Sequence, residues 1–187
     1  LSADSVPVLI HDETLGRTTN GSGAVSTTEW ADLAALDAGS WFGAAYAREP
    51  LPRYADAARL CIDLGLWANV EIKPAAGVER ETGKVVAAMN AQLWRAAPVA
   101  PLLSSFSIDA LDAVAAAAPG LARGLLVEAI PEDWRDAVAR LGCVSLHCDF
   151  RHLTPARAQA VNEAGYALLC YTVNDTATAR ELFAWGV

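Results

Sequence analysis

From Ala68 onward the chain alternates short β-type runs with longer Ala-rich segments of helical character, and this alternation constrains the fold more than any other feature. The runs are residues 68–73, 102–106, 123–127, 143–147 and 168–173. Their starts are separated by about 20 to 35 residues, which is room for a strand, a crossover helix and two turns, so neighbouring strands should run parallel. Helix punctuation falls between them: Thr154 as a cap before Pro155, Gly165 as a stop, and Asn174 capping the run to Trp185. A parallel sheet covered by helices is an α/β architecture, and such sheets carry their chemistry at the carboxyl ends of the strands.

The first third departs from this rhythm. Residues 6–10 read as a strand, the return limb of a hairpin turned at Ala3, Asp4 and Ser5. Residues 16–52 are rich in Gly, Thr, Ser and aromatics, with one short helix opened by the capping box Ser26-x-x-Glu29. Excursions of this length are usually functional, and this one reads as a small insertion over one end of the sheet. A helix over residues 54–64, stopped by Gly65, leads back into the first parallel strand.

Composition then narrows the function. The 187 residues suit one domain with a real core. Fourteen Lys and Arg stand against 22 Asp and Glu, a formal net charge of −8, which argues against a nucleic-acid or anionic-membrane partner. No apolar run approaches the roughly 18 residues of a membrane span. The four cysteines form no C-x-x-C pair, and Cys61, Cys143 and Cys170, inside apolar runs, read as small buried hydrophobes, which points to a reduced, cytoplasmic setting.

The strand ends collect the chemistry. Glu71 and Lys73, two apart on one strand, share a face. The carboxylate can meet a hard divalent cation and the ammonium can neutralise a phosphate, or the two can simply form an ion pair. His11, beside Asp12, can exchange a proton near neutral pH, and the loop that follows, with Arg17, is either an ordered turn or an anion site. His147 reads as a pocket-facing histidine that binds no metal and His152 as a solvated loop residue, while Trp30, Trp67, Trp94, Trp134 and Trp185 read as packing on the sheet. Glu128, Glu132 and Asp133 are either a solvated acidic loop or part of the mouth that meets a substrate's alcohol.

Six motifs occur together: residues 11–21 (His-Asp-Glu-Thr-Leu-Gly-Arg-Thr-Thr-Asn-Gly), residues 37–42 (Asp-Ala-Gly-Ser-Trp-Phe), Pro50-Leu51-Pro52, residues 69–74 (Asn-Val-Glu-Ile-Lys-Pro), residues 103–106 (Leu-Ser-Ser-Phe) and residues 171–174 (Tyr-Thr-Val-Asn). In this order they resemble the glycerophosphodiester phosphodiesterase family, most of all its short bacterial cytosolic members. The resemblance implies a TIM barrel with a small insertion, and metal-dependent hydrolysis of glycerophosphodiesters to glycerol 3-phosphate and an alcohol, with Mg2+ or Ca2+ as cofactor. His11 would then be the general acid that protonates the leaving alcohol oxygen. Glu71 would be a metal ligand and Lys73 a phosphate holder. Phe106 and Tyr171 would line the pocket around glycerol and leaving group, Tyr171 standing where many members have Trp. The glycerol 2-hydroxyl would attack, and water would open the resulting cyclic phosphate.

The same resemblance implies what is not in the chain. The family's His-Arg-Gly strand, a Glu-Asn-Thr, a Glu-x-Asp pair and a final Thr-Asp strand have no counterpart here. The expectation is therefore one partial domain over residues 1–187, truncated at both ends, with the insertion at 16–52. Exposed strand edges in such a piece would invite pairing into a homo-oligomer. Two other functions remain open: a related phosphodiesterase acting on lysophospholipid or sphingolipid headgroups, and a non-catalytic barrel that binds a phosphate-bearing metabolite.

Overall fold

Five parallel strands lie side by side in chain order in the computed structural model, which describes residues 1–187. They are β1 (Asn69–Glu71), β2 (Leu102–Ser105), β3 (Ala122–Val127), β4 (Ser145–Asp149) and β5 (Ala167–Tyr171). Four helices make the crossovers: α3 (Glu79–Leu93), α4 (Ile108–Ala117), α5 (Trp134–Leu141) and α6 (Pro155–Glu163). Two short helices precede the sheet, α1 (Trp30–Leu33) and α2 (Tyr54–Asp63), and α7 (Thr176–Ala184) follows it. The strand order never reverses, as in a barrel and unlike a doubly wound sheet.

Alternation along each strand explains the two faces. Leu103, Leu125, Leu146, Cys148 and Leu168 point to the helices and form the cores there, with Leu111, Trp134, Val138 and Val161 beneath the later strands and Val86, Ala87, Ala110 and Val114 beneath the earlier ones. The residues between them on the chain, Ser104, Gly124, Leu126, Ser145, His147 and Asp149, therefore line the inner face, and all are buried. The sheet curls around that face. In a flat sheet β2 and β5 would stand about 14 Å apart, three strand spacings. Yet Phe106, just past β2, and Tyr171, ending β5, meet edge to face with ring centroids 5.8 Å apart. The result is an open half-barrel of the type found in a TIM barrel.

Local signals account for most element ends. Thr154 accepts from the Arg157 amide with Pro155 in the first turn, and Gly165 stops α6 with a φ of +83°. Gly65 follows α2 at a φ of +66°. Several expectations need correction. Residues 6–10 form no strand; Val8 makes one isolated antiparallel bridge to Arg53. The Ser26–Glu29 capping box does not form: residues Val25–Thr27 are a 3-10 turn, and Glu29 itself is the cap position of α1 with no side-chain bond. Asp175 caps α7 in place of Asn174, its carboxylate accepting from Thr178. The fourth strand lies two residues later than its apolar run suggested, because Val144 is exposed and Asp149 is buried at the strand's end. Trp67 is half exposed and packs in no core.

The segment between residues 15 and 51 has a small core of its own, Leu15, Val25, Leu33 and Leu51, closed by the isolated bridges Thr14–Ala24 and Asp37–Pro50. No helix of the molecule is long and apolar enough to cross a membrane.

Candidate active site

Burial of Ile72 against Val86 and Ala87 fixes which way β1 faces, and so turns Glu71 and Lys73 to the inner side at the strand's carboxyl end. Two bonds to β2 hold that end in place. The Ile72 amide donates to the Ser104 carbonyl, and the Ser105 hydroxyl donates to the Ile72 carbonyl at 2.6 Å. The Lys73 ammonium then reaches across to a segment 62 residues earlier, donating to the His11 carbonyl at 2.8 Å and lying 3.5 Å from His11 Nε2. No ion pair joins Glu71 to Lys73, so the simple ion-pair reading of that spacing does not hold.

His11 is held from its other side. Its Nδ1 lies 2.8 Å from Asp12 Oδ1, and the Arg17 guanidinium clasps both oxygens of the same carboxylate at 2.5 and 2.8 Å. Arg17 first and His11 second hold the Asp12 carboxyl well below the usual carboxylate range, so it is ionised and can only accept. The hydrogen on the His11–Asp12 bond therefore sits on Nδ1. Nε2 is the remaining ring nitrogen, 3.5 Å from the Lys73 ammonium, which can only donate. Arg17 is spent on this turn and is not an anion site.

His11, Asp12, Glu71 and Lys73 line one cavity of about 170 Å3, together with Glu13 and a largely apolar floor that includes Ile10, Val70 and Ile72. A phosphate entering it would meet an ammonium and an imidazole, both on its exposed side. Phe106 and Tyr171 do not line this cavity. They form a separate aromatic corner of the same rim, Tyr171 anchored through its hydroxyl to the Val127 carbonyl at 2.8 Å.

The donor set limits what metal could sit here. No group of three His, Cys, Asp or Glu side chains converges as a metal cage would require. Glu71 and Glu13 at the cavity are carboxylates, donors that would suit a hard cation rather than a soft one.

Some site neighbours had little signal in the sequence. His147 is on the inner face as expected, but it is 3 % exposed, sits 2.8 Å from the Ser145 hydroxyl and is pushed down to about 4 by burial. Gly124 makes room for it: a Cβ there would lie 2.5 Å from His147 Nε2. Asp149, held at about 2 chiefly by its bonds from Arg151, also ends a strand at the rim. His152 lies 3.6 Å from the exposed Glu128.

Comparison with known proteins gives one answer. The family model described as the glycerophosphoryl diester phosphodiesterase family matches residues 1–187. A glycerophosphodiester phosphodiesterase of Caldanaerobacter subterraneus subsp. tengcongensis is 31 % identical over 192 residues, covering all of this chain and 76 % of that protein. One from Bacillus subtilis is 29 % identical, covering all of this chain and 69 % of its own length. Among solved structures, an Oleispira antarctica phosphodiesterase in complex with the product sn-glycerol-3-phosphate superposes with a TM-score of 0.93 at 35 % identity, over all of this chain and 75 % of that one.

Proposed function

The chain belongs to the glycerophosphoryl diester phosphodiesterase family and is an enzyme of that kind, and from this premise we propose how its own residues take part in cleaving a glycerophosphodiester to glycerol 3-phosphate and an alcohol. The observation that carries the proposal is the convergence of His11, Lys73 and Glu71 on one cavity from segments far apart in sequence. The Oleispira relative, with glycerol 3-phosphate bound, supports a small phosphate-bearing substrate.

A phosphodiester resists cleavage because its anionic oxygens repel a nucleophile and its leaving alkoxide is poor. Lys73 answers the first difficulty. Its ammonium, lent to the His11 carbonyl at rest, turns to a phosphoryl oxygen and neutralises charge as it develops. His11 answers the second. With Nδ1–H committed to Asp12, Nε2 takes up a proton and then delivers it to the leaving alcohol oxygen, which is general acid catalysis by an oriented imidazole. The glycerol 2-hydroxyl attacks phosphorus and gives its proton to solvent water as the P–O bond to the alcohol breaks and His11 protonates that alcohol; water then opens the cyclic phosphate, losing a proton to His11 Nε2 while the released 2-oxygen takes one up. Phe106 and Tyr171 provide an apolar wall for the glycerol and leaving-group carbons.

Enzymes of this family generally depend on a divalent metal. Glu71 is the carboxylate of this chain that would hold Mg2+ or Ca2+, and the cation would add charge stabilisation at the phosphoryl oxygens. The reaction is expected in the cytoplasm, on a soluble diester.

The test is release of glycerol 3-phosphate from glycerophosphocholine by the intact protein, with and without a chelator, beside His11→Ala. Turnover should need the cation and fall by about 10²- to 10⁴-fold in the variant. A folded His11→Ala protein with undiminished turnover removes His11 from the chemistry.

A further inference from the structure

All four cysteines are free thiols, and the reaction described above uses none of them. The sheet nevertheless brings two together. Cys148 on β4 and Cys170 on β5 are direct partners in the parallel ladder, so their side chains leave the same face of the sheet, the one packed beneath the helices. Their Sγ atoms lie 3.8 Å apart, although the residues are 22 positions apart in sequence. Neighbouring strands stand about 4.7–4.9 Å apart, which is inside the range of about 4.4–6.8 Å between Cα atoms that a disulfide spans. Side-chain rotation can therefore close the two sulfurs to a bond of about 2 Å.

The two thiols are not equivalent. Cys148 is fully buried and Cys170 only partly so. Burial penalises a thiolate at Cys148, while a thiolate at Cys170 can accept the Cys148 S–H. That contact pushes the Cys170 thiol down and the Cys148 thiol up. Cys143, in the same core, is pushed up to about 11 by burial and is a built-in control, a thiol that should stay inert.

We propose that Cys148 and Cys170 form a hydroperoxide-sensitive dithiol that closes to a reversible disulfide between β4 and β5. The Cys170 thiol gives its proton to water, and its thiolate attacks the terminal oxygen of the hydroperoxide. The O–O bond breaks, Cys170 becomes a sulfenic acid, and the departing oxygen takes up a proton and leaves as an alcohol or, from hydrogen peroxide, as water. The Cys148 sulfur then attacks the Cys170 sulfur. The S–O bond breaks, and the hydroxide takes the Cys148 proton and leaves as water. Two thiols have then supplied the two electrons that reduce one hydroperoxide. The nearby second thiol consumes the sulfenic acid before further peroxide can carry it to the irreversible sulfinic acid. The bond ties the strands together one residue short of Asp149 and Tyr171 at the rim. Oxidation here is independent of how the enzyme cleaves its substrate, and none of its readouts is turnover.

Peptide mapping of the intact protein after treatment with hydrogen peroxide tests it. Two of the four thiols should be lost and should return with dithiothreitol. Trypsin, which cuts after Arg, leaves Cys143 and Cys148 together on residues 141–151 and Cys170 on residues 158–180, so these two peptides should be recovered joined, from protein that still runs as a single chain on a non-reducing gel. Cys143→Ser should keep the joined peptide. Cys148→Ala should lose it and instead carry dimedone, a sulfenic-acid trap, on Cys170. Four thiols that survive a dose of peroxide sufficient to oxidise free cysteine overturn the proposal. So do a joined peptide that Cys143→Ser abolishes, a link between two chains, Cys170 carried to a sulfinic acid while Cys148 remains a thiol, or a folded Cys148→Ala protein that takes up no dimedone. The wild-type thiol count, gel and peptide map need no substitution in the core, so they decide the matter even if Cys148→Ala does not fold.

Discussion

His11 Nδ1 lies 2.8 Å from Asp12 Oδ1, and Arg17 holds both oxygens of that same carboxylate. Three residues of one short turn thus fix the orientation and tautomer of a mostly exposed imidazole. The arrangement follows the logic of a proton-transferring imidazole oriented by a carboxylate, with Arg17 doing the clamping that burial would otherwise do.

Asp12→Asn should lower turnover by about tenfold or more with little change in KM, because the amide no longer compels the hydrogen onto Nδ1. Steady-state kinetics on glycerophosphocholine checks it. A variant with wild-type kcat would show that the dyad orients nothing of consequence.

Lys73→Met keeps the length of the side chain and removes its charge. KM for the diester should rise by about tenfold, with a fall in kcat as well, if the ammonium meets phosphate in both ground and transition states. A raised KM with kcat untouched would restrict Lys73 to ground-state binding.

His147 gives a stability prediction with a definite sign. Burial holds its folded value at about 4, below the ordinary 6.5, so the unfolded chain binds the proton more readily across that window. This residue's contribution is therefore constant above about pH 6.5 and is lost as pH falls to 4, about 3 kcal/mol in all. Urea midpoints measured between pH 7 and pH 4 should fall, and His147→Gln should flatten the slope. Parallel profiles for the two proteins would remove His147 as the cause.

Arg123 is buried at the amino end of β3, where its guanidinium donates to the carbonyls of Pro119, Leu121, Leu141 and Gly142. Arg123→Leu leaves those acceptors without their donor and should cost about 2–4 kcal/mol. Catalysis at pH 7 should survive, since this is the end of the sheet away from Glu71 and Lys73. An unchanged unfolding midpoint would mean that water replaces the guanidinium at no cost.

Periodicity found all five strands because each must bury one face under a helix, and that requirement is written into alternating residues such as Leu103, Leu125 and Leu168. It misplaced the ends of β4 for the same reason. Asp149 is polar by sequence, yet it is buried because Arg151 satisfies it, and no pattern of hydrophobicity anticipates a paired carboxylate. The hairpin limb at residues 6–10 failed because a strand needs a partner: this apolar run lies against Arg53 and Tyr54 through only a few backbone bonds.

What the sequence determined by itself is local chemistry and order: a parallel α/β chain, a histidine beside an aspartate, a glutamate and a lysine on one strand face, and a set of motifs that marks the family. Which of these meet was decided by the curl of the sheet and the path of the first 54 residues. Only there does Lys73 come to His11 in place of Glu71, and Phe106 find Tyr171 across two intervening strands. Contacts between residues tens of positions apart depend on strand twist and crossover packing summed over the whole domain, and no short stretch of sequence carries that sum.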